Sequence, residues 1–160
     1  MFVGSLALYT FGLLDPAADP ATMADFARRG AGIYGAVVHA PGFLGRGDAH
    51  RDGDDGWGAY AVPLGLPDLA GHDPHVHIAT LSRWQDVATA RQFVYDGLHR
   101  EALRHRHDWF LRGPWPGHVL WTIEDDARPS WTNGVERLEA LAHDGESAEH
   151  FTFGSPWARA

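Results

Sequence analysis

Segments with the two-residue period of a strand and the 3.6-residue period of a helix follow one another as strand–helix–strand–strand–helix–strand–helix. This order constrains the fold more than any other feature of the sequence. The clearest strand is VHIATLSRW, Val76–Trp84, rich in β-branched and apolar residues after the turn signal Asp73-Pro74. Its alternation puts His75, His77, Ala79 and Leu81 on one face, and Val76, Ile78, Thr80, Ser82 and Trp84 on the other. SLALYTFG (Ser5–Gly12), FLGR (Phe43–Arg46) and HVLWTIE (His118–Glu124) read as further strands, and FTF (Phe151–Phe153) as a short additional one. A first helix runs from Asp19 as N-cap and Pro20 at the first helical position to Ala40, where Pro41-Gly42 ends it. Gly30, Gly32 and Gly35 inside it each cost about 1 kcal/mol relative to alanine, which reads as close packing against another backbone. A second helix covers residues 85–110, with a stripe of Val87, Ala90, Phe93 and Val94 and a kink at Gly97. A third opens at Pro129-Ser130 and runs to about His143, with Val135, Leu138 and Leu141 facing inward.

The element order suits an α+β, ferredoxin-like layer: an antiparallel sheet with its helices on one face. The opposite face then needs a cover, and the economical cover is the same face of a second copy, so a homodimer is expected. The chain of 160 residues fits one domain, residues 1–160. Residues 46–74 form an irregular insertion, polar and glycine-rich in GDAHRDGDDGWGAY and apolar but broken by two prolines in AVPLGLPDLAG, a long loop or hairpin extension.

Composition excludes several chemistries. There is no cysteine, so no thiolate nucleophile, cysteine-ligated zinc, iron–sulfur cluster or disulfide. All thirteen basic residues are arginine, which removes Schiff-base enzymes, covalently bound pyridoxal phosphate and P-loops. The net charge of −8, with no basic run outside residues 100–106, argues against nucleic acid and against anionic membranes as partners. The apolar start lacks a basic leader and a cleavage site, and no later run is long enough to span a bilayer; a cytoplasmic protein is expected.

Three groups of residues could carry chemistry. His75 and His77, at i and i+2 on one strand face, can reach a common divalent metal, with a third ligand from a distant residue such as His50, Asp54 or Asp55; a polar strand end is the alternative. Tyr95 and His99 lie one turn apart on the second helix, so phenol and imidazole can act on one ligand or bond to each other. His99 serves either as a general acid/base or as a bridge between elements. Glu124, Asp125 and Asp126 are either a proton-sharing group or a solvated strand end. Haem would need an axial ligand, for which His99, His105 or His107 could serve.

LALYTF, PGFLGR, LSRWQDV, FVYDGLHREALRHRHDWF, VLWTIE, RPSW followed by VERLEAL, and HFTF together resemble the bacterial domain-of-unknown-function family 3291 over nearly the whole chain outside residues 46–74. That family is similar to a branch of the dimeric α/β barrel superfamily, which includes antibiotic-biosynthesis monooxygenases, haem-degrading enzymes, chlorite dismutase-like haem proteins and stress-responsive barrels. The resemblance implies the architecture far more than the reaction. It places the ligand cavity between sheet and helices, so that Thr80, Ser82 and Trp84 face it, and it matches His99 to the family's histidine. Thr10 and Thr80 stand where the family has asparagine, and Thr122 followed by EDDAR replaces its second tryptophan and glycine-containing turn.

The expectation is therefore a small-molecule enzyme of secondary metabolism acting on an apolar, aromatic or polyketide-like intermediate. It would be a cyclase or isomerase working by acid/base chemistry, or a cofactor-independent monooxygenase, with no cofactor in either case. His99 would be the acid/base, Tyr95, Ser82 and Thr80 would orient polar groups, and Trp84 would stack on the substrate. Thr10, Trp109 and Trp121 complete the candidate substrate-binding set, the two tryptophans being core residues in the alternative reading. A non-catalytic ligand-binding or stress-associated barrel, and a haem or metal protein, are the alternatives.

Overall fold

The period-two segments come together in one antiparallel sheet of four strands: β1 (Gly4–Leu13), β2 (Phe43–Arg46), β3 (His77–Trp84) and β4 (His118–Glu124), in the order β2-β3-β1-β4. The protein, a computed structural model, is described over residues 4–49, 56–66, 69, 71–73 and 76–159. The segment Phe151–Phe153 is not a fifth strand. It makes a single bridge, Phe151 exchanging backbone hydrogen bonds with Leu120 at 2.8 and 3.0 Å.

Register decides which side chains share a face. Leu6 lies opposite Trp84, Leu8 opposite Ser82 and Thr10 opposite Thr80, with Leu8 also opposite Leu120. On the reverse face stand Ala7, Tyr9, Phe11 and Leu13 of β1, with Ala79 and Leu81 of β3 and Val119 and Trp121 of β4, all buried.

Both faces carry helices, which corrects the expectation of helices on one face. The helix α5 (Trp131–Asp144) seats Trp131, Leu138 and Leu141 against Tyr9 and Trp121. Its Gly134 lets the backbone approach closely: a Cβ there would fall 2.4 Å from the Tyr9 ring. Ser130 caps α5, accepting from the Asn133 N–H at 3.1 Å while Asn133 Oδ1 accepts from the Ser130 N–H, a capping box that starts the helix directly after buried Pro129. The opposite face is covered by the 3₁₀ turn Val37–His39, by α2 (Val87–Tyr95) and by Phe151, Phe153 and Ala158 of the C-terminal segment. A strand leading into a helix carries no signal for which sheet face the helix will take, so the amphipathic stripe alone left that choice open.

Part of the 46–74 insertion belongs to the core. Trp57, Leu66 and Leu69 are buried beside α5 on the Tyr9 face. The segment is pinned by Tyr9 Oη donating to the Ala61 carbonyl at 2.9 Å, the Ala79 N–H donating to Tyr60 Oη at 3.0 Å and the Trp131 N–H donating to the Trp57 carbonyl at 3.0 Å. Tyr60 thereby satisfies a β3 amide lying beyond the end of β2.

Two helices differ from expectation. The 85–110 run is three helices, α2, α3 (Gly97–Arg104) and α4 (Arg106–Trp109), because Asp96 is extended and Gly97 adopts φ +55°, a left-handed conformation that glycine takes at no steric cost. The first helix, α1 (Pro20–Ala36), is capped by Asp19 as expected, its Oδ1 accepting from the Thr22 N–H at 2.7 Å. None of its residues is buried, and a Cβ added at Gly30, Gly32 or Gly35 meets nothing within 4 Å. These glycines are not at a close backbone contact. Alanine at each should therefore raise stability by about 0.5–1 kcal/mol through helix propensity. Urea midpoints of the three single variants measure this, and a lowered midpoint would reveal a neighbour at that face.

Candidate functional site

The break at Asp96 sends α3 back toward α1 and opens a groove of about 270 Å³ between the end of α1, the Val37–His39 turn, and α2 with α3. Ile33, Ala36, Phe93 and Leu98 form apolar walls, and Gln92, Asp96, His39 and His99 bring polar groups to it. The Phe93 ring sits 5.6 Å from the His99 ring and 5.3 Å from the Trp84 ring, so the groove floor is continuous with the core. His99 Nδ1 is buried without a hydrogen-bond partner, and the ring lines the groove. Burial pushes the His99 pKa down, opposed only in part by the backbone of Val94 and of His99 itself. The imidazole is thus uncharged at neutral pH.

The other residues selected from sequence are not gathered around it. Trp84, 1% exposed, packs edge-on against Phe43 and donates its indole N–H to Ser82 Oγ at 2.9 Å. Thr10 and Thr80 bond hydroxyl to hydroxyl across the β1–β3 pair, with Thr80 exposed. The Tyr95 ring turns to Phe153, 5.6 Å away, and because the helix breaks at Asp96 the one-turn spacing expected between Tyr95 and His99 does not exist. Trp109 is core, edge-on to Phe26, and Trp121 belongs to the core on the reverse face of the sheet.

The histidine strand resolves in part. His77 is buried against Phe11 with both ring nitrogens unpartnered, while His75, His50, Asp54 and Asp55 lie outside the described residues. Among the described residues no three His, Asp or Glu side chains are grouped to hold a metal. His105 pairs with Asp108 at 3.1 Å, His107 is exposed, and neither lines the groove. Glu124, Asp125 and Asp126 are exposed at the end of β4. No helix among the described residues is long and apolar enough to cross a membrane.

Sequence reasoning missed Phe93, Asp96 and His39 as groove residues, and it missed a second, arginine-lined cleft at the β2 edge. The cleft's Arg46, Arg83 and Arg128 each stand in a segment that carried the family resemblance, PGFLGR, LSRWQDV and RPSW. That coincidence was the available signal.

The family model described as a domain of unknown function (DUF3291) matches residues 5–160. No curated protein sequence matches the chain. Among solved structures, PA3566 of Pseudomonas aeruginosa is similar at 13% identity, covering 79% of this chain and 99% of that one with a TM-score of 0.48. A protein of unknown function from Nitrosomonas europaea, NE2512, is similar at 11% identity, with 79% and 93% coverage and a TM-score of 0.46. A conserved protein from Methanosarcina mazei Go1 is similar at 9% identity, with 76% and 93% coverage and a TM-score of 0.46.

Proposed function

The chain belongs to the DUF3291 family, which assigns no reaction, and from its own geometry we propose a small-molecule enzyme that moves protons on an apolar ligand in the α1–α2/α3 groove. The observation that carries this is His99: an imidazole whose pKa burial pushes down, with Nδ1 enclosed, in the lining of an apolar-walled groove. Such a base takes a proton from a carbon next to a carbonyl and returns it elsewhere, which is isomerisation or the first step of a cyclisation. Ile33, Phe93 and Leu98 exclude water from the ligand's apolar body, while Gln92 is positioned to hold a carbonyl oxygen. The β2-β3-β1-β4 order supports the finer reading of a ferredoxin-like fold akin to the α/β barrel proteins. A homodimer was expected from an uncovered sheet face; with core residues on both faces, the catalytic reading calls on no second copy.

5-Nitrobenzisoxazole, an apolar probe whose ring opens when a base removes one proton, tests the reading. The wild type should open it about 100-fold faster than His99→Ala, at matched unfolding midpoints. The lowered pKa should keep the rate level from pH 8 to about 6.5 and let it fall only under more acid conditions. Equal rates in the two proteins would sink the catalytic reading and leave the groove as a binding site.

A further inference from the structure

The second cleft lies at the edge strand β2, and none of its described lining residues belongs to the His99 groove. It encloses about 450 Å³, within the range of small-molecule sites, and Arg46, Arg83 and Arg128 line it with Tyr34, Leu44 and Trp57. Among the described residues Asp48 is the one carboxylate of the lining, beside three guanidinium groups.

Arg46 and Arg83 are placed by neutral oxygens. Arg83 donates through Nε to Ser5 Oγ at 2.8 Å and through Nη2 to the Asp125 carbonyl. Arg46, the last residue of β2, donates to the Tyr34 carbonyl and lies 3.1 Å from the centre of the Tyr34 ring. Arg28, Arg29, Arg104 and Arg137 each sit beside an aspartate or glutamate instead. A guanidinium has five N–H donors, and carbonyl and hydroxyl acceptors fix its orientation without neutralising it. Arg46 and Arg83 therefore hold their charge and spare donors toward the cleft.

Two glycines give the cleft its shape. A Cβ at Gly56 would fall 2.7 Å from Arg128 Nη1, and one at Gly45 would fall 3.2 Å from the Trp57 ring. Their missing side chains let Arg128 and Trp57 lie against the backbone as wall and floor. At the mouth, Tyr34 and Leu44 are 50% and 51% exposed, an apolar lip beside the charges.

We propose that this cleft is a binding site for a small organic anion, its carboxylate or phosphate head held by Arg46 and Arg83 and its apolar body resting on Leu44 and Tyr34. Planar, forked donors match both head groups. The site is independent of the His99 reading, because it is read by binding and not by turnover.

Titration calorimetry of the full chain with benzoate, phenyl phosphate and inorganic phosphate tests it. Benzoate or phenyl phosphate should bind with Kd at or below about 1 mM, more weakly as salt rises. Arg46→Gln should weaken binding about tenfold, the effect of one charge-assisted hydrogen bond. Leu44→Glu, an exposed substitution that leaves the arginine contacts intact, should weaken it similarly by placing a negative charge at the lip. Preference for phenyl phosphate or for benzoate assigns the head group. The proposal is overturned by no detectable heat from any of the three, by affinity unchanged in both variants, or by inorganic phosphate binding as tightly as phenyl phosphate, which would leave the apolar lip without a role.

Discussion

Trp131→Ala lowers the unfolding free energy by about 3–5 kcal/mol, the cost of deleting a fully buried large aromatic. Trp131 is 1% exposed and stands where three parts of the fold meet: the sheet through Tyr9, ring centres 6.3 Å apart; the 56–66 segment through Tyr60, 4.8 Å away; and the start of α5, of which it is the first residue. Truncation opens a cavity under Tyr60, whose hydroxyl satisfies the Ala79 N–H, so loss of packing is compounded by loosening of a buried polar contact. Trp131→Phe behaves differently. The Trp131 indole N–H is buried without a partner, against Gly47, where a Cβ would lie only 2.8 Å away. Phenylalanine removes that orphaned donor, worth about 1–3 kcal/mol, and so offsets most of the lost volume. Urea unfolding should place the Phe variant within about 1 kcal/mol of wild type and the Ala variant far below it. A loss under 1 kcal/mol for Trp131→Ala would show that the α5 face is not a true core.

Strand positions were legible because alternation is a local property: Phe43–Arg46 and His118–Glu124 were bounded correctly by it, and Asp19 announced the first helix through its own side chain. What was not legible was relational. The side of the sheet taken by α5 depends on Gly134 fitting Tyr9, a contact between residues 125 positions apart in sequence. The glycines of α1 had two opposite meanings, close approach or open space, and only the neighbouring elements choose between them. The candidate site divides the same way. His99 was visible as a histidine on a helix, but its apolar surroundings arise from the break at Asp96, which a kink at Gly97 underestimated. Thr80, Ser82 and Trp84 did fall on one face, yet Trp84 spends its indole N–H on Ser82 and Thr80 its hydroxyl on Thr10. Partner choice of that kind leaves no trace in spacing.

Acid should unfold this protein earlier than its carboxylates alone would dictate, because burial pushes down the pKa of three histidines. For His77 the causes are burial and then His72, with Asp73 opposing; for His99, burial against nearby backbone carbonyls; for His118, burial against Glu146. Each is neutral when folded, whereas unfolded chain takes a proton near pH 6.5. Below that pH the unfolded state binds more protons than the native state, so stability is full above pH 6.5, falls as pH drops through it, and levels off only below the folded pKa values. The three groups add, so the fall is steeper than any one of them would give. Structure gives each protonation a mechanical consequence. His118 Nε2 accepts from the Phe153 N–H at 3.2 Å, and a proton on that nitrogen turns the acceptor into a donor and releases the C-terminal segment from β4. Both His77 nitrogens lie unpartnered beside Phe11, so a charge there has no compensation. His77→Leu isolates one of the three: at pH 7.5 it should match or exceed wild-type stability, since it removes two unsatisfied polar atoms, and as the pH drops below 6.5 its stability should fall less steeply than the wild type's. Urea midpoints measured every half unit from pH 8 to 5 separate the outcomes. Parallel curves for the two proteins would mean that His77 keeps an ordinary pKa and that its strand end opens to water before the rest of the sheet yields.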